Sequence, residues 1–134
     1  MSNRLFNIIF IFIFSMNTSF VFARTKGGEC PGIAIVPFKE AVANEPVTII
    51  DVNGRISFAN GHIPGALDYR VIKDDLSAHL PHDKGELIVV YGGGPYDDSY
   101  KYASKAIMDL GYTEVRYLLS GLSGWIIAGE KLEK

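Results

Sequence analysis

Residues 86–91 (ELIVVY) most constrain how this chain folds: a β-branched, apolar run broken at once by Gly92-Gly93-Gly94-Pro95. An amphipathic stretch follows from about Asp98 to Leu110 and stops at Gly111. An apolar run without alternation has both faces covered, as in a central strand of a parallel sheet. The glycines and proline end that strand, and Gly111 ends the helix after it. Strand, glycine loop and helix make one crossover unit, which needs a parallel neighbour.

The alternation recurs. Residues 37–44 (PFKEAVAN) carry apolar positions at helical spacing, and 47–52 (VTIIDV) is a second β-branched run. Residues 57–60 read as a short helix ended by Gly61, and 66–69 as a short strand after Pro64 and Gly65. Asp74 and Asp75 open an amphipathic piece through Leu80, since carboxylates favour the N-terminal end of a helix dipole, and Pro81 stops it. A last strand is expected over 115–118. A last helix over 121–128 has Leu122, Trp125 and Ile126 on one apolar face. The fold class is therefore α/β, a parallel sheet covered by helices on both faces.

The first 23 residues stand apart. They hold six of the eight Phe and no acidic residue, with Arg4 ahead of the apolar stretch 8–14 (IIFIFIF) and small or aliphatic residues ending at Ala23. This is the pattern of a secretory signal cleaved after Ala23. The rival reading is an uncleaved membrane anchor, but Ser15, Asn17, Thr18 and Ser19 interrupt the roughly 20 apolar residues that a span requires. The expected organisation is a signal peptide over 1–23, a leader over 24–32 and one domain over 33–134, in a periplasmic or secreted protein. Membrane contact is expected only through the first segment, if it is retained.

Losing that segment removes one basic residue, Arg4, and leaves a net charge of −3. Such a chain has no electrostatic reason to seek nucleic acid. The single cysteine, Cys30, cannot form an intramolecular disulfide, so the core stands without one. Cys30 lies in a Gly-rich leader (KGGECPG) and reads as a flexible tail thiol able to pair between chains. A preorganised nucleophile needs neighbours that lower its pKa.

Ligands of parallel α/β sheets bind beyond the carboxyl ends of the strands, which directs attention to the loop after Tyr91. Here the sequence resembles the rhodanese family. The matching pieces are Ile49-Ile50-Asp51-Val52, Gly61-His62-Ile63-Pro64-Gly65-Ala66, Ile88-Val89-Val90-Tyr91, Leu110-Gly111-Tyr112, then Gly121, Gly124-Trp125 and Ala128-Gly129. They run in the family's order from about residue 33 to the C-terminus. The resemblance implies a single domain with a five-stranded parallel sheet. It also implies a six-residue active loop beginning at a cysteine, which carries sulfane sulfur from a donor such as thiosulfate as a persulfide.

The matching cysteine position is Gly92. The arginine that commonly ends an active loop, forming an anion cradle with backbone N–H groups, is matched by Asp97, with Asp98 after it. The arginine often found after the Asp-Val pair is matched by Asn53, though Arg55 two positions on could reach the same area. A nucleophile and a cationic residue are thus both replaced. The phosphatase relatives of this fold also need a cysteine and an arginine, and Asp98 lies near where their longer loop would end.

The expectation is an exported rhodanese-like domain without sulfurtransferase chemistry, binding an unidentified protein partner or small ligand through Gly92, Gly93, Gly94, Pro95, Tyr96 and Asp97. The alternative is a sulfurtransferase or sulfane-sulfur carrier in which Cys30 folds back over Gly92. No catalytic residue, cofactor or metal is expected. The triple glycine lacks a P-loop ending or a dinucleotide fingerprint and reads as a turn, with Asp97 or Asp98 capping the helix. His62 reads as a hydrogen-bonded structural residue. His79 and His82 lack supporting ligands. Asp97 and Asp98 would need Asp51 or Asp68 to converge before they could hold a hard cation. Tyr96, Tyr100 and Tyr102 would line a small pocket or cover the sheet edge.

Overall fold

The computed structural model describes residues 28–134; the expected signal segment lies outside them. Five parallel strands form one sheet: β1 (Gly32–Ile33), β2 (Val47–Asp51), β3 (Leu67–Asp68), β4 (Leu87–Tyr91) and β5 (Val115–Leu118), in the order β1-β5-β4-β2-β3. The helices are α1 (Ile35–Asn44), α2 (Arg55–Asn60), α3 (Tyr69–Ile72), α4 (Leu76–His79), α5 (Tyr100–Asp109) and α6 (Gly121–Ile127). Among the described residues no helix is long and apolar enough to cross a membrane.

All five residues of β4 are buried, as its unbroken apolar run requires. Its side chains alternate between two cores. Leu87, Val89 and Tyr91 join Phe38 and Ala41 of α1 and Trp125 of α6, while Ile88 and Val90 join Ile72, Leu76, Ala103 and Ile107 of α3 to α5. Phe38 and Trp125 meet at a ring separation of 5.8 Å. Helices thus cover both faces, and the free edges are the two-residue strands β1 and β3.

Several boundaries differ from the sequence expectation, among them these four. The first strand, β1, includes Gly32, expected in the leader; it pairs with Tyr117 and Leu118 of β5 at the sheet edge. The strand expected over 66–69 shrinks to Leu67–Asp68, because the Asp68 carboxylate accepts from Arg70 N and caps α3 at Tyr69. The helix expected from Asp74 divides into a 3-10 turn, Lys73–Asp75, and α4. The helix expected from Asp98 begins at Tyr100, with Ser99 at the N-cap position.

The segment Gly61-His62-Ile63-Pro64-Gly65-Ala66 is tied down from two sides. His62 and Glu133 exchange backbone hydrogen bonds, and the Glu133 carboxylate accepts from Gly65 N. His62 is buried, stacks on Phe58 and donates through Nδ1 to the Phe58 carbonyl. These contacts seat Ile63 against the carboxyl end of β4.

Candidate functional site

The carboxyl ends of β2 and β4 are joined by a buried relay. Tyr91 donates its hydroxyl proton to Asp51 Oδ2 at 2.6 Å and accepts from Ile63 N at 3.0 Å, while Asn53 N donates to Asp51 Oδ1 at 2.7 Å. Burial pushes the Asp51 carboxyl above its usual range, against the opposing Tyr91 and Asn53 hydrogen bonds. Burial, with the Asp51 carboxylate beside it, pushes the Tyr91 hydroxyl up as well. The Tyr91 hydroxyl and both Asp51 carboxylate oxygens are engaged within the relay, so it anchors the loop.

Gly92 follows directly and is buried. Its carbonyl accepts from Leu122 N and that of Gly93 from Ser123 N, both at 2.9 Å, so the first turn of α6 is docked onto the loop. The approach is close enough to require glycine: a Cβ on Gly121, whose φ is +58°, would lie 2.6 Å from Gly94 N. Gly94 O accepts from Asp97 N, closing a turn over Pro95 and Tyr96, whose ring is fully exposed.

Neither Asp97 nor Asp98 caps α5 with its side chain, as one of them was expected to; the N-cap position is Ser99. Asp97 is used differently. Its side chain folds back across the loop, with Oδ2 accepting from Gly93 N at 2.8 Å and Oδ1 from Ser99 N at 2.9 Å. A Cβ on Gly92 would stand 2.8 Å from Asp97 Oδ2 and 2.9 Å from its Cγ, separations that real side chains essentially never show. The carboxylate fits because residue 92 has no side chain. The Ser99 hydroxyl beside it, together with the N–H groups of Gly93 and Ser99, holds the Asp97 carboxyl below its usual range, so it is ionised at neutral pH. That hydroxyl makes no well-aligned hydrogen bond, and neither does Asn53 Nδ2, although both atoms are buried.

Cys30 is not a tail thiol. It is half-buried against the core on the α5 side of the sheet, beside Ser104 and Arg116, and its Sγ–H lies 3.7 Å from the Pro31 carbonyl oxygen. Burial pushes its pKa up to about 11, outweighing the Ser104 hydroxyl and the Arg116 charge. Arg116 is itself buried, donating to the Val115 carbonyl and to Glu114. The group that stands over Gly92 is Asp97, not Cys30.

The remaining candidates separate. Tyr100 stacks on Tyr117 at 3.9 Å and covers β5, whereas Tyr96 and Tyr102 are exposed. Asp51, Asp68 and Asp97 each bind backbone N–H groups of their own loops. Among the described residues no three His, Cys, Asp or Glu side chains gather as a metal site. Ser99 and Ser123 escaped the sequence reading, and Gly121 entered it as a matching piece of the family pattern and a helix start without its contact with the loop; only the spacing Asp97-x-Ser99, an aspartate two residues before a backbone donor, hinted at the folded-back carboxylate.

A protein from Bacillus halodurans superposes with a TM-score of 0.66 at 22% identity, over 77% of this chain and 76% of that one. The rhodanese-like domain of an Anabaena protein superposes at 0.64 with 29% identity, over 78% and 80% of the two chains. A 3-mercaptopyruvate sulfotransferase from Escherichia coli superposes at 0.61 with 21% identity, over 79% of this chain and 51% of that enzyme. No curated protein sequence matches the chain significantly. The sequence model of the rhodanese-like domain matches residues 36–128, from α1 to the end of α6, and the chain belongs to that family, which includes sulfurtransferases.

Proposed function

We propose that this chain is an exported rhodanese-like domain that no longer transfers sulfur and acts as a binding or partner-recognition module through the loop 92–97. The observation that carries the reading is the placement of Asp97. Where sulfur transfer needs a thiolate on residue 92, the loop holds the carboxylate of Asp97 on the Gly93 and Ser99 N–H groups. A negative group there repels both an incoming sulfur dianion and any thiolate formed nearby. Export rests on the pattern of residues 1–23 and places the domain in the periplasm or outside the cell.

The alternative, a sulfurtransferase or sulfur carrier using Cys30, needs that thiol as a thiolate near Gly92. Its raised pKa and its place beside Ser104 and Arg116 weigh against it. The deciding experiment is cyanide-dependent sulfur transfer from thiosulfate, with the full chain and with Cys30→Ser. No turnover in either is expected. Turnover that survives Cys30→Ser overturns the inactive reading, and turnover abolished by it establishes the alternative. Intact mass after incubation with the donor gives a second readout: a persulfide on Cys30 would add one sulfur atom.

A further inference from the structure

One peptide unit, joining His62 to Ile63, is gripped from both ends. Its carbonyl accepts from Glu133 N at 2.9 Å, and its N–H, pointing the opposite way, donates to the Tyr91 hydroxyl at 3.0 Å. A trans peptide is rigid and planar, so a tilt that loses one of these bonds misaligns the other. On the Tyr91 side the grip continues to Asp51 at 2.6 Å and from Asp51 to Asn53 N at 2.7 Å. Both ends of that path reach the loop. Tyr91 directly precedes Gly92, and Asn53 Oδ1 would be 3.4 Å from a Cβ on Gly93.

On the other side stand residues 130–134, which belong to no helix or strand and are seated by α1, α6 and the end of α2. Glu130 pairs with Lys39, the Trp125 indole donates to the Lys131 carbonyl at 2.9 Å, and a Cβ on Gly61 would lie 2.8 Å from the Leu132 side chain. Glu133 then makes three bonds to the segment 61–66: its N–H and carbonyl pair with His62, and its carboxylate accepts from Gly65 N. Residues 131–134 are nevertheless exposed, within reach of an outside molecule.

We propose that residues 130–134 are a latch on the loop 92–97, with Glu133 a positioning residue that acts through the 62–63 peptide and Tyr91 to hold Asn53 and Gly93 in place. The inference rests on the reading of this loop as the recognition surface and adds a second place from which that surface is controlled. A molecule that draws the latch outward loosens the loop, and by reciprocity a partner that seats on the ordered loop holds the latch down.

The test is the amide proton–nitrogen spectrum of the folded full chain. Glu133→Pro removes the N–H that holds the His62 carbonyl, whereas Glu133→Ala keeps it and removes only the carboxylate. The Asn53 and Gly93 resonances should move in Glu133→Pro and hold their wild-type positions in Glu133→Ala, with Ile107, buried on the other face of the sheet, as the unmoved reference. Tyr91→Phe cuts the path at its other end without touching the latch, so it should move the Glu133 amide. Asn53 and Gly93 resonances that coincide in the two Glu133 variants, a shift at Ile107 equal to theirs, or an unmoved Glu133 amide in Tyr91→Phe overturns the inference; each variant decides alone if the other fails to fold. Turnover of thiosulfate by the wild type would instead sink the reading of the loop as a recognition surface and leave these shifts standing, so the two failures are distinguishable.

Discussion

The loop at Gly92 and the surroundings of Cys30 each carry half of what sulfur transfer needs. The loop has the position, beyond the carboxyl end of the central strand and lined with backbone N–H groups, but its anion is a hard carboxylate that cannot carry sulfur. The other region has the sulfur atom, but burial against α5 keeps it protonated. A family member is made reactive by bringing a polarizable atom and an anion-stabilising frame together. Here the two rest on different supports: Cys30 precedes β1, which pairs with β5, and the loop is docked on α6.

The largest expected effect breaks the comparison from the Cys30 side. A pKa raised from 9.0 to about 11 lowers the thiolate fraction near pH 8 about a hundredfold. Alkylation of the folded full chain by iodoacetamide should therefore run about a hundredfold slower than alkylation of the urea-unfolded chain. Equal rates would mean an open, ionised thiol, and the distinction between the two regions would be lost.

The next effect repairs the loop. Gly92→Cys alone puts the new side chain into the space of Asp97 and sets a carboxylate beside the thiolate. Adding Asp97→Arg removes the overlap and reverses the charge. Two unit charges at 4 Å interact by about 1 kcal/mol in water and about 4 kcal/mol near a protein surface. Persulfide formation from thiosulfate, followed by intact mass in a Cys30→Ser background, should thus be about tenfold faster in the double variant than in Gly92→Cys. Equal rates would refute the charge argument and leave Gly92 as the whole deficit.

The two regions also differ in how far the sequence exposed them. The strands 47–51, 87–91 and 115–118 were legible because β-branched runs buried on both faces have no polar side to disguise them. The absent thiol was legible at Gly92, since position in a known pattern identifies it. The fate of Asp97 was not: whether an aspartate caps the next helix or folds back depends on the volume left by residue 92, a contact between side chains and not a local preference. Strand β1 and the burial of Cys30 were hidden for a similar reason. Gly32-Ile33 carries no period, and only pairing with Tyr117 and Leu118 draws the preceding Cys30 out of the leader and onto the core.

The smallest effect sharpens the contrast within the loop's own supports, because two carboxylates at the carboxyl ends of β2 and β4 shift in opposite directions. Asp97 is lowered from 3.8, mainly by Ser99 and the Gly93 N–H, so its contribution to stability is present above that value and is lost as pH falls through the folded pKa. Asp51 is raised from 3.8, chiefly by burial, so the contribution of its protonated form is complete below that value and is lost as pH rises through the folded pKa. Urea unfolding of wild type, Asp97→Asn and Asp51→Asn across this range should give deficits that move oppositely. The Asp97→Asn deficit shrinks on acidification, and the Asp51→Asn deficit shrinks as pH rises. If the Asp97→Asn deficit grows or stays constant on acidification, Asp97 is not held by the loop's N–H groups as an ion. The space above Gly92 would then be filled by a neutral acid.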